Sequence, residues 1–226
     1  MPLRASMKLH QMRGNRLVTG PAQEPVTRRE LKAQLRITHT NEDDLLDDLI
    51  ADARQELEDT TGLAFITQVW RLTLDHWPCA DERWWDGVRQ TAMSEVYAGR
   101  ALGDLTIPRY PLVSVDSVTV YDEGGTPTTV TVADVFNVDT QRVRGRLTLQ
   151  RGATWPVALR ANNAIEIVYT AGYGADSTEV PAPLKRAVRQ MAAYMYEHRG
   201  DGCEPKDAYT ASGAAAVLTR YRSIEV

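Results

Sequence analysis

Residues Asn41–Gly62 read NEDDLLDDLIADARQELEDTTG, and this stretch decides the fold of the front of the chain. Leucine, isoleucine and alanine recur along it at helical spacing, which predicts an amphipathic helix with one apolar stripe. We expect Asn41 to cap its start and Gly62 to end it. Between Glu42 and Asp59 the stretch carries nine carboxylates and one basic residue, Arg54, and the carboxylates fall mostly on the other face. Such a face must meet solvent, a basic partner or something that it repels.

The segments on either side of this helix change from helical to β character. A short helix is predicted over Thr27–Arg36, because Thr27 and Glu30 stand at capping-box spacing. Residues 65–171 contain short β-branched and alternating segments separated by turns, which is typical of antiparallel strands.

Helical patterns return at the end of the chain. Apolar residues recur with helical periodicity over Pro181–Arg199, and a shorter helix is predicted over Asp207–Tyr221. We therefore predict an α+β fold in which helices in 27–62 and 181–222 form a bundle frame around a central antiparallel β insertion. Residues 26–226 are interpreted as a single domain, and residues 1–25 as a flexible basic arm.

Bulk composition excludes several classes of protein. The 226 residues carry a net charge of −4, which argues against a dedicated nucleic-acid binder. Two cysteines far apart, Cys79 and Cys203, favour a reduced cytoplasmic setting over a disulfide scaffold. No apolar run has transmembrane length, and the basic N-terminus has no apolar core of a signal peptide.

No catalytic or metal-binding constellation is recognisable in the sequence. The four histidines are scattered, and neither CxxC nor HExxH occurs. No GxSxG elbow or complete phosphate-binding loop is present. We predict no enzymatic activity, no metal and no cofactor.

What remains are features of an assembly part. Trp84 and Trp85 lie in a long segment of weak pattern and are candidates for contact with another subunit. The remaining candidates are charged: an acidic face of Asp43, Asp44, Asp47 and Asp48, and a basic group of Lys185, Arg186 and Arg189.

The order of several motifs resembles the tailed-phage head–tail connector, or adaptor, family, in the branch of proteobacterial prophages and alphaproteobacterial gene transfer agents. The resemblance covers roughly Val26 to Arg222. Its carriers are LKAQLRI (31–37), EDDLLDDLIADARQELEDTTG (42–62), ITQVWRLTLDHWP (66–78), RWWDGV (83–88), IPRYPLVSVDSVTVYDEGG (107–125), GRLTL (145–149), IEIVYTAGYG (165–174) and VPAPLKRAVRQMAAYMYEHRGD (180–201), with a terminal Tyr221-Arg222.

This resemblance implies a structural part that forms a twelve-fold ring beneath the portal in the neck of a virion or gene transfer agent particle. The ring is assembled in the bacterial cytoplasm, joins the DNA-filled head to the tail and extends the channel through which DNA passes without specific binding. Its expected partners are other copies of itself, the portal protein and a stopper or tail-terminator protein, with no membrane. The C-terminal segment is expected to reach the portal, with Tyr209, Leu218, Tyr221 and Arg222 as candidate contacts. Candidate contacts with a neighbouring subunit or a tail component are Trp84, Trp85, Lys185, Arg186 and Arg189.

Alternatives remain open on the residues alone. The acidic face can pair with the basic group across a ring interface, line the channel as a repulsive wall, or stay in solvent. Rival functions are another neck or tail-completion protein, a hydrolase that uses the acidic helix, and a DNA-binding adaptor that uses the basic arm.

Overall fold

The structure is a computed structural model that describes residues 14–78, 103–150, 152–153, 158–199 and 208–221. Its helices are α1 Arg28–Leu35, α2 Asp43–Thr61, α3 Val132–Val135, α4 Ala182–Glu197, α5 Ala208–Ala211 and α6 Ala214–Leu218. Its strands are β1 Asn15–Thr19, β2 Gln68–Leu74, β3 Leu105–Thr106, β4 Leu112–Tyr121, β5 Pro127–Val130, β6 Phe136–Asp139, β7 Arg146–Leu149 and β8 Ile165–Ala171. This is the α+β fold that the sequence predicts.

The chain divides into two compact units. A helical unit combines residues 19–68, 109–111 and 171–226, so it draws on both ends of the chain. A β unit combines residues 1–18, 69–108 and 112–170. The middle of the chain thus supplies most of the β unit, as a β insertion between helices requires.

The helical unit has a continuous apolar core between its helices. α4 packs against α1, α2, α5 and α6. The inward positions of each helix recur every three or four residues, as an amphipathic helix requires. Fully or almost fully buried side chains include Leu31, Leu46, Ile50, Leu57, Leu184, Val188, Met191, Ala214 and Leu218. Leu63, Phe65 and Ile66 also belong to this core. Strand β2 therefore begins at Gln68, three residues later than the sequence predicts.

The β unit contains two sheets. Five strands follow the order β1-β2-β8-β4-β5, and three follow the order β3-β7-β6. The pairs β4–β5, β3–β7 and β6–β7 are antiparallel. Trp77 stacks on Phe136 with ring centroids 5.0 Å apart, and both are buried. Aromatic packing and strand pairing together order this unit.

Helix ends show where local signals decide structure. The capping box is present, because the Thr27 hydroxyl accepts from Glu30 N and the Glu30 carboxylate accepts from Thr27 N. Asn41, in contrast, does not cap α2. Glu42 occupies the N-cap position without a side-chain capping bond, because its carboxylate instead accepts from Tyr196 and Arg199. Gly62 ends α2 in the left-handed conformation, as predicted.

Two further segments differ from the predictions. Residues 1–25 were expected to be a flexible arm, but Asn15–Thr19 form β1, an edge strand of the five-stranded sheet. The Tyr169 hydroxyl donates to Asn15 Oδ1 at 2.8 Å, so a tertiary contact orders this segment. The single helix expected over 207–221 is two short helices, because Gly213 takes a left-handed φ of 79° between them.

Two glycines of the motif YTAGYG (169–174) allow close backbone contacts. Gly172 has φ +145°, and a Cβ there would lie 2.6 Å from backbone atoms of Thr67. Its N–H donates to the Pro111 carbonyl at 2.9 Å, and Thr67 N donates to the Gly174 carbonyl at 2.9 Å. Only glycine permits this approach at position 172, so the motif is explained by packing within the helical unit.

Candidate assembly surface

The acidic face of α2 is partly neutralised by α1. Arg28 donates to Asp43 at 2.7 Å and to Asp47 at 2.9 and 2.5 Å, and Lys32 also pairs with Asp43. The bond from Lys32, and then that from Arg28, lowers the pKa of Asp43. α1 is therefore the basic partner of this part of the acidic face. Asp43 and Asp47 are already engaged.

A second part of the acidic face is exposed and has no partner within the described residues. Asp44, Asp48 and Asp52 are exposed, and none of the three has a hydrogen bond or ion pair in the part of the chain that the structure describes. They stand four residues apart, so they follow one line on the helix at intervals of about 6 Å. We call these three residues the acidic row. Asp52 is missing from the sequence-based candidates, although its spacing could have identified it.

The three basic residues of α4 also differ in their exposure to solvent. Lys185 and Arg189 are half-buried, and their charges help to lower the pKa of Glu30 in α1, behind the larger effect of the Thr27 backbone hydrogen bond. Arg186 is exposed and has no hydrogen bond or ion pair among the described residues. Of the three, Arg186 is the exposed one.

Arg186 lines a surface cavity of about 270 Å³ between α4 and the end of α6. Arg220, which is exposed and also unpaired within the described part of the chain, supplies a second guanidinium. The rest of the wall is apolar or aromatic: Pro183, Ala216, Val217 and Tyr221. We call this site the arginine cavity. Arg220 could not be singled out from sequence, because only the packing of α6 on α4 brings it beside Arg186.

The residues expected to contact the portal lie mostly inside the protein. Leu218 is fully buried and Tyr209 is 9% exposed, and both belong to the core of the helical unit. Tyr221 is half-buried, and its carbonyl accepts from the Tyr110 hydroxyl at 3.4 Å. In this conformation the side chains of Tyr209 and Leu218 lie in the core beside α4, and their contact with a portal stays a prediction. Arg222 lies outside the described residues.

The tryptophan pair also falls outside the described part of the chain. Trp84 and Trp85 belong to residues 79–102, for which the structure gives no placement. Their role in contacts with a subunit or a tail component remains a prediction.

The one strongly buried carboxylate among the described residues is structural. Glu58 is 3% exposed and accepts hydrogen bonds from Arg54, Phe65 N and Gln68, each at 2.8 Å. Burial raises its pKa, against the opposing effect of Arg54. Arg54 is itself shared with Glu24 at 2.8 Å. Glu58 thus connects α2 by hydrogen bonds to the segment that leads into β2, and both of its oxygens accept from donors of the same chain.

In the described ranges, no group of histidine, cysteine, aspartate or glutamate side chains could hold a metal ion. None of the helices placed by the structure is both long and apolar enough to cross a membrane.

Comparisons with known proteins agree with this architecture. Residues 27–81, which include α1, α2 and β2, match the family described as phage gp6-like head-tail connector protein. No curated protein matches the sequence.

Solved structures match over almost the whole chain. One is from the neck of an empty gene transfer agent particle computed with C6 symmetry, and another is from the virion of a native gene transfer agent particle; each has a TM-score of 0.70. A third, from the neck of a native particle computed with C12 symmetry, has a TM-score of 0.64. All three are 26% identical, and the alignments cover 95% of this chain and 97% of the other. Residues 27–81 thus match the head–tail connector family, and the whole-chain similarity to proteins of gene transfer agent particles supports the connector role in the neck that the sequence motifs predict.

Proposed function

We propose that the chain is a head–tail connector, a structural part of the neck of a gene transfer agent or related phage-like particle. The observation that carries this proposal is the similarity over 95% of the chain to proteins from the neck of such particles. A partial match could reflect a shared helix pair, but this one includes both units. The match of α1, α2 and β2 to the connector family supports the same assignment independently.

In this proposal the chain forms a twelve-membered ring beneath the portal and extends the channel for DNA. The C12 symmetry used for one similar neck structure supports that number. Cyclic rings require two different surfaces on each subunit, one for each neighbour. The helical unit offers unpaired charges of opposite sign on separate helices, which suits such an interface. Neighbours above and below are the portal protein and a stopper or tail-terminator protein.

The chain acts as a structural part rather than an enzyme. Glu58 is the described carboxylate whose pKa burial raises, and acid–base chemistry uses such groups. Its two oxygens already accept from Arg54, Phe65 N and Gln68, so they serve packing within the chain. Duplex DNA passes through the ring without sequence-specific contact, because a sliding polymer needs weak and uniform interactions.

Electron microscopy of particles from a strain that lacks the gene tests this function. We expect DNA-filled heads and separate tails, because the joint between them depends on the ring. Expression of the intact chain from a plasmid should restore joined particles. Normally tailed particles in the deletion strain would refute the connector role.

The position in the neck has its own test. An affinity tag on the chain, labelled with gold in intact particles, should place the label between head and tail. Label along the tail or over the head surface would contradict the neck assignment. Deletion of a tail-tube gene serves as a control, since it should remove the tail but leave the label on the head vertex.

A further inference from the structure

The helical unit carries two surfaces of opposite charge that its own fold does not satisfy. The first is the acidic row on α2, and the second is the arginine cavity between α4 and α6. Neighbouring charges on the same helices are paired within the chain, Asp43 and Asp47 by α1 and Glu42 by Arg199. The acidic row and the two arginines of the cavity, in contrast, have no hydrogen bond or ion pair within the described residues.

The acidic row is unfavourable in an isolated subunit. Asp44, Asp48 and Asp52 repel one another at four-residue spacing, and like charges so placed destabilise a helix. Asp44 is compensated by its position in the first turn of α2, where the helix dipole favours negative charge. Asp48 and Asp52 lie further along and have no such compensation. A cationic partner would relieve their repulsion.

The arginine cavity has the chemistry of a carboxylate receptor. Arg186 and Arg220 present guanidinium groups, which bind carboxylates through paired N–H donors more strongly than neutral donors do. Pro183, Ala216 and Val217 supply an apolar wall beside the two guanidinium groups, against which the aliphatic part of an acidic side chain can pack. The volume of about 270 Å³ is sufficient for side chains but not for a folded element.

We propose that, in the ring, the acidic row of one subunit docks on the arginine cavity of the next. This inference rests on the proposed connector function and names the surfaces that close the ring. Charge complementarity identifies a second copy as the occupant, since the same chain carries both halves and satisfies neither internally. In the ring the acidic row faces one neighbour and the arginine cavity faces the other, so the contact is heterologous, as a cyclic ring requires.

A charge swap in particles tests the contact. One variant reverses the row (Asp48→Lys with Asp52→Lys), a second reverses the cavity (Arg186→Glu with Arg220→Glu), and a third combines all four changes. Asp44 is kept for its role in the first turn of α2. We expect each reversed variant to lower the yield of joined particles at least roughly tenfold, because like charges then face each other across the interface. The combined variant should recover most of the yield, since the charges are again opposite.

Matched controls separate this outcome from misfolding. Arg29→Glu reverses another exposed arginine of the helical unit that is unpaired within the described residues, and it should leave the yield unchanged. Circular dichroism of each purified variant should match the parent chain. Normal yields from both reversed variants, or no recovery in the combined variant, would overturn the proposed contact. If the deletion strain lacks joined particles while the reversed variants assemble normally, the connector role stands and this contact fails.

Crosslinking provides a second test that does not disturb the charge balance as strongly. A chain with Asp48→Cys and Arg186→Cys, treated in assembled particles with a short bismaleimide, should give a ladder of multimers on a denaturing gel. The parent chain, which retains Cys79 and Cys203, and each single variant supply the background. A ladder no stronger than that background would also overturn the contact.

Discussion

Replacement of Glu58 by alanine is expected to destabilise the helical unit strongly. The side chain is 4% exposed, and its two oxygens accept three hydrogen bonds. Glu58→Ala removes all three acceptor contacts and leaves the Phe65 N–H and the Gln68 amide without them in the core. It also removes one of the two carboxylates that flank Arg54, whose side chain is 11% exposed.

The magnitude follows from these losses. Each unsatisfied buried donor costs about 1–3 kcal/mol, and breaking a buried ion pair costs about 3–5 kcal/mol. These losses overlap, and Glu24 still neutralises Arg54. We therefore expect the free energy of unfolding to fall by about 3–5 kcal/mol. For a chain of this size, each kcal/mol shifts Tm by about 2–4 °C, so Tm should fall by about 6–20 °C.

Urea and thermal denaturation followed by circular dichroism measure this loss. Glu58→Gln is a graded variant, because its carbonyl can keep the bonds from Phe65 N and Gln68 while its amide faces Arg54. A smaller loss of about 1–3 kcal/mol is expected for it. Asp52→Ala, an exposed change on the same helix, should stay within about 0.5 kcal/mol of the parent. A loss below about 1 kcal/mol in Glu58→Ala would refute the structural role assigned to this network.

Three further predictions concern packing and charge. Gly172→Ala should destabilise the chain by about 1–3 kcal/mol in urea denaturation, because the added Cβ meets the backbone that leads into β2; an unchanged midpoint would contradict this. Leu218→Ala should lower the free energy of unfolding by about 2–5 kcal/mol, because it leaves a cavity in the core. Thr219→Ala, at an exposed position, should change the free energy of unfolding little, and equal effects of the two substitutions would contradict the burial of Leu218. The pKa of Asp43 lies below its usual 3.8, so its stabilising contribution is present above that pH and is lost as pH falls through the lower folded value. Lys32→Ala should reduce this acid-dependent loss in denaturation curves between about pH 2 and 5, and identical pH profiles would exclude the pairing.

The sequence by itself determined the local elements and the fold class. Apolar periodicity and the capping box located α1, α2 and α4, and short alternating segments located most strands, because these signals act between residues close together in the chain. The motifs also carried the resemblance to the connector family. Gly62 and Gly172 are cases in which a residue type directly reports a required backbone conformation.

Only the tertiary structure decided which charges and side chains are available to partners. It pairs Asp43 with Lys32 and leaves Asp48 open, although both belong to one acidic run. It places Leu218 in the core and Arg220 at the cavity, two residues apart. The physical reason is that exposure and ion pairing depend on how helices distant in sequence pack together, and periodicity within one helix carries no information about the helix opposite.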